Sequence, residues 1–127
     1  MKASGRLEIV DLTEAGGRWR GYRLHRSDGH TPGLMLLEVA SDDGPIVFAA
    51  DLIPGVPWVH LPITMGYDRF PECLIDEKQA ILSSLLKRKG HIFFTHDHKT
   101  ALAEIYLDDK GRFSTRNAQP FIHSWKA

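Results

Sequence analysis

The sequence predicts a single α/β domain in which short apolar strands alternate with one well-defined helix. Two apolar runs, Leu34 to Ala40 and Ile46 to Ala50, are separated by turn-forming residues. Apolar residues then recur at helical spacing from Leu74 to Leu86, and a further apolar run follows at 92–94. The length of 127 residues fits one domain, 1–127, with one hydrophobic core.

The first third of the chain predicts strands. Leu7 to Val10 and Arg18 to His25 are the first two candidates, the second of which ends in the turn Ser27-Asp28-Gly29. The next two apolar runs carry apolar side chains at both odd and even positions, which is typical of strands buried on both faces. The turn residues from Ser41 to Pro45 predict that these two strands form a hairpin.

Prolines at positions 54, 57, 62 and 71 predict a long, shaped loop from Leu52 to Pro71, because each removes a backbone donor and disfavours helix before it. Loops of this length tend to cover functional sites. The helix that follows has acidic residues near its start and basic residues at 87–89, which suits the helix dipole. Gly90 is the predicted left-handed residue at its end.

The C-terminal part predicts one more strand and a hairpin. His91 to Thr95 is the strand, and a polar corner with a short helical turn follows it at 96–99. Ala103 to Leu107 and Arg112 to Thr115 are joined by turn-forming residues and predict the final hairpin. The tail, which holds Pro120, Phe121 and Trp125, has no period and is expected to pack on the surface or to join an interface.

Composition argues against several classes of protein. Sixteen basic residues balance sixteen acidic ones, so nucleic acid is not the expected partner. No apolar run approaches the roughly 20 residues of a membrane-spanning helix, and no apolar signal region follows Met1. We therefore expect a soluble, cytoplasmic protein without a membrane partner. The single cysteine, Cys73, excludes an internal disulfide framework and, in a monomer, a multi-thiolate metal site.

Three side chains that can bind metal stand in a turn or at strand ends. His30 lies within the turn-forming segment 29–33, Asp51 follows the run that ends at Ala50, and His96 closes the strand of residues 92–95. Imidazole and carboxylate groups are suitable ligands for Zn²⁺ and related ions, and strand ends are rigid mounts. Each also has an ordinary structural interpretation, as an exposed turn residue, a turn cap and part of a solvated corner, respectively.

Four segments, taken in order, resemble the C-terminal half of a metallo-β-lactamase-fold hydrolase. They are Gly29-His30-Thr31-Pro32-Gly33, Phe48-Ala49-Ala50-Asp51-Leu52-Ile53-Pro54, Met65-Gly66-Tyr67-Asp68 with Pro71, and Phe93-Phe94-Thr95-His96-Asp97. The resemblance covers residues 18–107. It implies half of a four-layer αβ/βα sandwich, with a mixed sheet flanked by helices and a dinuclear metal site at the edge of the sheets.

The resemblance also implies roles for individual residues. His30 matches the histidine that completes the first metal site, His96 the histidine of the second, and Asp51 the catalytic carboxylate that bridges both metals. Zn is the expected metal, with Mn or Fe as alternatives, and it would activate water for hydrolysis of an ester, lactone, amide or phosphoester. The candidate residues for the wall of the substrate pocket are Trp58, His60 and Tyr67, and each could instead have a purely structural role. Asp68 is expected to shape its loop.

The family's His-x-His-x-Asp-His motif, which supplies most of the ligands, is not present upstream of Gly29. His96-Asp97-His98 comes after the segment that such a motif should precede. The chain is therefore predicted to hold part of a site and to expose an apolar sheet face, which either a second copy or a separate N-terminal half would cover.

Three hypotheses for function follow. The first is a fragment of a metal-dependent hydrolase, inactive or weakly active alone, so that we leave open whether the chain itself is an enzyme. The second is a catalytically inactive dimeric domain or subunit. The third is an unrelated α/β module, which is excluded if the strands that precede Asp51 and His96 lie side by side.

Overall fold

The computed structural model of the protein describes residues 2–7, 9 and 20–122. These residues form one six-stranded sheet with the strands in the order β1 to β6, and one α-helix packs on it. The strands and the helix are β1 Tyr22–Ser27, β2 Leu34–Val39, β3 Ile46–Phe48, α1 Pro71–Arg88, β4 His91–Phe93, β5 Leu102–Leu107 and β6 Phe113–Gln119. Short 3-10 helices occupy Lys2–Ser4, Ala50–Leu52 and Val56–Val59.

The sheet is mixed, as predicted. β3 and β4 are parallel neighbours, and every other adjacent pair is antiparallel. Ile46 pairs with His91 and Phe48 with Phe93, so the chain leaves both strands at the same edge of the sheet. The residues that follow these strands are thereby brought together, and the strands that precede Asp51 and His96 lie side by side, which excludes the unrelated-module hypothesis.

The helix α1 begins at Pro71 and carries Glu72 in its first turn, which suits the helix dipole. At its end the left-handed residue is Lys89, with φ 55°, and the prediction that Gly90 takes this conformation is wrong. Gly90 is needed for another reason: a Cβ there would lie 2.4 Å from Leu85 Cδ2 and 3.0 Å from the Pro45 carbonyl oxygen. A side chain would therefore separate the end of α1 from the start of β3.

One face of the sheet packs against α1 and forms the core. Alternate strand positions point to this face because successive side chains of a strand lie on opposite sides. The sheet side chains that are almost fully buried there are Leu36, Val47, Ile92, Ala103 and Ile105, and the helix contributes Leu74, Leu82 and Leu85. None of the helices in the described part of the chain is long and apolar enough to cross a membrane.

The opposite face of the sheet is also apolar. Leu102 of β5 is fully buried there, whereas the apolar side chains of β1 to β3 are only half-buried by the described residues. Leu24, Leu37 and Phe48 are cross-strand neighbours on this face, and the rings of Phe48 and Phe93 lie 5.9 Å apart. Their burial is intermediate, as is that of Val39. β2 and β3 thus carry apolar side chains on both faces, and the half-buried one is the apolar sheet face that the chain was predicted to expose.

A partly buried ion pair joins the end of α1 to the sheet. The Arg88 guanidinium donates to both carboxylate oxygens of Glu38, at 2.6 and 3.0 Å, and His25 Nε2 lies 2.9 Å from the same carboxylate. The hydrogen bonds from Arg88 hold the pKa of Glu38 below its ordinary value, although burial opposes them. This contact fixes the C-terminal end of α1, far from the residues that follow β3 and β4.

Several predicted boundaries differ from the structure. The second predicted strand is shifted to Tyr22–Ser27, and β3 ends at Phe48 because the chain turns into a 3-10 helix. The polar corner at 96–99 forms bends and no helical turn. Leu7 and Ile9 lie in no strand, whereas Glu8 and Val10, like residues 18 and 19 and Trp125 in the tail, lie outside the described residues. The long loop and the final hairpin are confirmed.

Candidate functional site

Asp51 stands on a short 3-10 helix directly after β3. Ala50, just before it, has a φ of 45°, which is the left-handed region that residues with a Cβ rarely adopt. Such a conformation costs on the order of 1–2 kcal/mol and persists where the surrounding structure enforces it. The turn brings the Asp51 side chain to the edge of the sheet, where its exposed fraction is 38%.

His30, Asp51 and His96 meet at this edge. His30 Nε2 lies 3.6 Å from Asp51 Oδ2, and His96 Nε2 lies 3.1 Å from Asp51 Oδ1. Each imidazole therefore faces a different oxygen of one carboxylate. The side chain of His30 is 14% exposed and that of His96 is 65% exposed, so the site has one enclosed side and one open side.

A second carboxylate orients His30 from behind. His30 Nδ1 lies 2.8 Å from Asp68 Oδ1, and the Asp68 side chain is only 1% exposed. Because a carboxylate accepts hydrogen bonds, this contact favours a proton on Nδ1 and leaves the lone pair of Nε2 directed toward Asp51. Asp68 also accepts from the Met65 amide at 2.6 Å. It therefore shapes its loop, as predicted, and also orients His30, which the sequence did not indicate.

Asp97 holds the loop that carries His96. One of its oxygens accepts from the Val56 amide at 2.9 Å, and the other accepts from the amides of Lys99 and Thr100 at 3.0 and 2.9 Å. Burial acts to raise the pKa of Asp97, but these three backbone hydrogen bonds together hold it below its ordinary value. His96 itself donates its amide to the Pro54 carbonyl at 2.9 Å. The segments that follow β3 and β4 are thus joined at two points.

The donor atoms suit a divalent metal, but they do not form a complete site. In the described part of the chain, no group of three or more His, Cys, Asp or Glu side chains is placed to hold one ion. The geometry instead gives two pairs that share a carboxylate, His30 with Asp51 and His96 with Asp51. Zinc usually takes four ligands. The described side chains therefore do not by themselves complete a four-ligand site around either pair.

Of the three candidate pocket residues, Tyr67 contacts a member of this site. The residue is 71% exposed, and its ring meets the His30 ring edge-on, with the centroids 6.0 Å apart. His60 instead lines a cavity of about 460 Å³ between its own loop, α1 and the last hairpin, and none of His30, Asp51 and His96 lines this cavity. Trp58 is half-buried and packs against the core.

The solved structures that resemble this chain include three hydrolases. AidC, described as a dizinc quorum-quenching lactonase in complex with a product, is 20% identical, with a TM-score of 0.72 over 94% of this chain and 40% of its own. A hydrolase of the beta-lactamase superfamily, AbOPH, is 20% identical, with a TM-score of 0.73 over 93% of this chain and 40% of its own. A probable metal-dependent hydrolase from Staphylococcus aureus is 21% identical, with a TM-score of 0.66 over 80% of this chain and 38% of its own.

These likenesses show the fold. The chain has the fold of one part of a metallo-β-lactamase-type domain, as predicted, and it spans about 40% of the length of these neighbours. No protein-family model matches the sequence, and no curated protein matches it either.

Proposed function

We propose that this chain is part of a metal-dependent hydrolase of the metallo-β-lactamase fold, and that His30, Asp51 and His96 are its ligands in a dinuclear site. The observation that carries the proposal is the convergence of two Nε2 atoms, 3.6 and 3.1 Å away, on the two oxygens of Asp51. A carboxylate that faces two imidazoles in this way can share its oxygens between two cations. An ordinary turn cap would direct its oxygens to backbone amides instead.

The residues of this chain have separable tasks in such a site. Asp51 would hold both ions, and Asp68 would keep the His30 proton on Nδ1 so that Nε2 can bind. When bound, a pair of divalent metals supplies water of lowered pKa and polarises the substrate oxygen on which negative charge develops. Zn is the metal we propose, with Mn and Fe as alternatives. Tyr67, which is exposed beside His30, would contact substrate at the open edge.

The substrate class we propose to test first is a lactone. AidC, which has the same fold, is described as a lactonase. Esters, amides and phosphoesters follow, because they require the same activation of water and the same stabilisation of a developing oxyanion. Since the chain supplies only two ligands for each ion, we expect little or no hydrolysis from the chain alone.

Metal content tests the proposed ligands directly. In equilibrium with excess Zn²⁺, wild-type protein should retain about one equivalent, bound weakly because the chain holds only part of the ligand set. Asp51→Ala should retain almost none, since it removes the group shared by both pairs, and His30→Ala should retain less than wild type. The matched control is His98→Ala, which removes an exposed imidazole two residues from His96 and should not change retention. Equal metal content in all four proteins would refute the assignment.

We further propose that the half-buried apolar sheet face is covered by the polypeptide that supplies the missing ligands. A second copy of this chain could cover the same face, but it would not supply the metal ligands that this chain lacks. Such a homodimer is the catalytically inactive alternative. The apolar cross-strand set Leu24, Leu37 and Phe48 supports association through this face.

In the absence of that polypeptide, the chain should self-associate through this face as its concentration rises. Leu37→Lys places a charge at the centre of the face and should reduce the sedimentation coefficient to that of a monomer. Leu107→Lys, at a site that is 43% exposed on β5 and belongs to the other side of the sheet, is the control and should leave association unchanged. A wild-type protein that sediments as a monomer at every concentration would contradict the proposed role of the face.

A further inference from the structure

One carboxylate on α1 gathers the segment that leads into His30. Glu77 accepts from the hydroxyl of Ser27 at 2.7 Å, from the amide of Asp28 at 2.7 Å and from the amide of Gly29 at 3.1 Å. These three donors come from consecutive residues, and His30 is the next one. The end of β1 is therefore attached to the side of α1 just where the chain turns toward the candidate metal site.

The same segment lies in close contact with the first turn of α1. A Cβ placed on Gly29 would lie 2.4 Å from Leu74 Cα, so no side chain fits between the two backbones. The Phe70 amide donates to the Gly29 carbonyl at 2.9 Å, and the Arg69 amide donates to the His30 carbonyl at 3.1 Å. The main chain around His30 thus has little room to move as long as Glu77 holds it against the helix.

The next residue of α1 holds the opposite loop. The ammonium group of Lys78 donates to the carbonyl oxygens of His60, Leu61 and Ile63, at 3.0, 3.1 and 2.8 Å. This loop continues into the segment that carries Asp68, the carboxylate that orients the His30 ring. Glu77 therefore holds the segment before His30, and its neighbour Lys78 holds the loop that leads to Asp68. Because both side chains belong to one helix, they together determine the distance between the His30 ring and the Asp68 carboxylate.

We propose that Glu77 is a positioning residue for His30, which fixes the imidazole between Asp68 and Asp51. Lys78 holds the Asp68 loop, and without the Glu77 contacts only the hydrogen bonds from the amides of residues 69 and 70 would hold the main chain at His30, so the ring would shift relative to Asp68. The His30 ring would then exist as a mixture of its two neutral tautomers, and Nε2 would no longer point toward Asp51. The consequence for metal affinity rests on the proposed function, whereas the effect on the ring is a property of the metal-free protein.

The tautomer of His30 gives the decisive measurement. In metal-free protein labelled with ¹⁵N-histidine, at a pH where the ring is neutral, His30 should show one protonated Nδ1 and one bare Nε2 with well-separated ¹⁵N shifts. Glu77→Gln keeps the size of the side chain but replaces one carboxylate oxygen with an NH₂ group. This group is a donor and cannot accept a hydrogen bond from the amide or hydroxyl donors that contact Glu77. We expect the two shifts to move toward each other, as in a mixture of tautomers. Ser27→Ala, which removes one of the three donors, should move them in the same direction by less.

Arg88→Met is the control for a merely structural effect. It breaks the ion pair with Glu38 at the other end of the same helix and should leave the His30 shifts unchanged. The proposal is wrong if Glu77→Gln and Ser27→Ala both leave the His30 shifts as in wild type. It is also wrong if Arg88→Met changes these shifts as much as Glu77→Gln does. If Glu77→Gln does not fold, the result for Ser27→Ala decides alone.

Zinc affinity, measured in parallel, should fall about 10- to 100-fold in Glu77→Gln, the range found when outer-shell partners of metal ligands are lost. If wild-type protein binds no metal, the proposed function fails, but the shifts still decide the role of Glu77.

Discussion

Lys78→Met is expected to lower the free energy of unfolding by about 2–4 kcal/mol, because it leaves three carbonyl oxygens without their donor. Lys78 is fully buried, and its ammonium group is the donor for all three. Methionine fills a similar volume and removes the cost of burying a charge, which is why the loss is smaller than the sum of three hydrogen bonds. Chemical denaturation of the two proteins under the same conditions measures the difference.

Lys87→Met makes the same substitution on an exposed part of the same helix and should change the stability by less than about 0.5 kcal/mol. If the two substitutions changed the free energy of unfolding equally, the hydrogen bonds of Lys78 would contribute nothing to stability.

The pH dependence gives a second readout for Lys78. Burial lowers the pKa of Lys78 from 10.5 to about 8, although the carboxylate of Asp68 acts in the opposite direction. Between these two values the unfolded chain binds more protons at this residue than the folded chain does, so stability rises with pH there. The stability of wild type relative to Lys78→Met should therefore increase from neutral pH to pH values above 8. A difference that is constant over this range would contradict the lowered pKa.

The approach of Asp51 to His96 at one edge of the sheet has a topological reason. A strand, a helix and a second strand in succession form a parallel pair whose chain ends leave at one edge, and β3 and β4 are such a pair. From the sequence both residues were placed only at strand ends, and their convergence was implied by the resemblance. His30 comes from an antiparallel hairpin earlier in the chain, and its place beside Asp51 followed only from the resemblance to metallo-β-lactamase-fold hydrolases.

The residues that hold the candidate site could not be predicted, because their partners are distant in sequence. Glu77 and Lys78 lie on an amphipathic helix, where charged residues ordinarily face solvent, and their contacts reach residues 27–29 and 60–63. Lys78 even occupies a core position. No local pattern distinguishes a charge that is buried in this way from one on the surface, so only the packed structure identifies both residues.

The glycines illustrate a similar limit. Gly90 was expected to be left-handed, since glycine commonly follows the end of a helix. Lys89 takes that conformation instead, and Gly90 is required for close packing. Sequence alone cannot separate a glycine required for its backbone angles from one required for its small size. The difference matters at Gly29, whose backbone is not left-handed and whose size is the constraint.

Gly29→Ala is expected to cost about 3 kcal/mol or more, the upper range for overpacking a filled interior. The added Cβ would lie 2.4 to 2.6 Å from the Cα, N and Cβ atoms of Leu74, and the nearest two belong to the helix backbone, which cannot rotate away as a side chain could. Relief of this clash must move residue 29 away from α1, which breaks its amide contact with Glu77 and displaces His30. Thermal or chemical denaturation measures the cost, and zinc retention should fall together with stability.

Gly66→Ala is the matched control for this prediction. Gly66 lies in the loop between Met65 and Asp68, a Cβ there would meet no atom within 4 Å, and its φ is not in the left-handed region. Adding a methyl group at this position should therefore leave both stability and zinc retention near the wild-type values, since surface substitutions usually change stability by less than about 0.5 kcal/mol. If Gly29→Ala proved as stable as Gly66→Ala, the close contact between α1 and the residue before His30 could not be what fixes that histidine, and the positioning role of the helix would have to be abandoned.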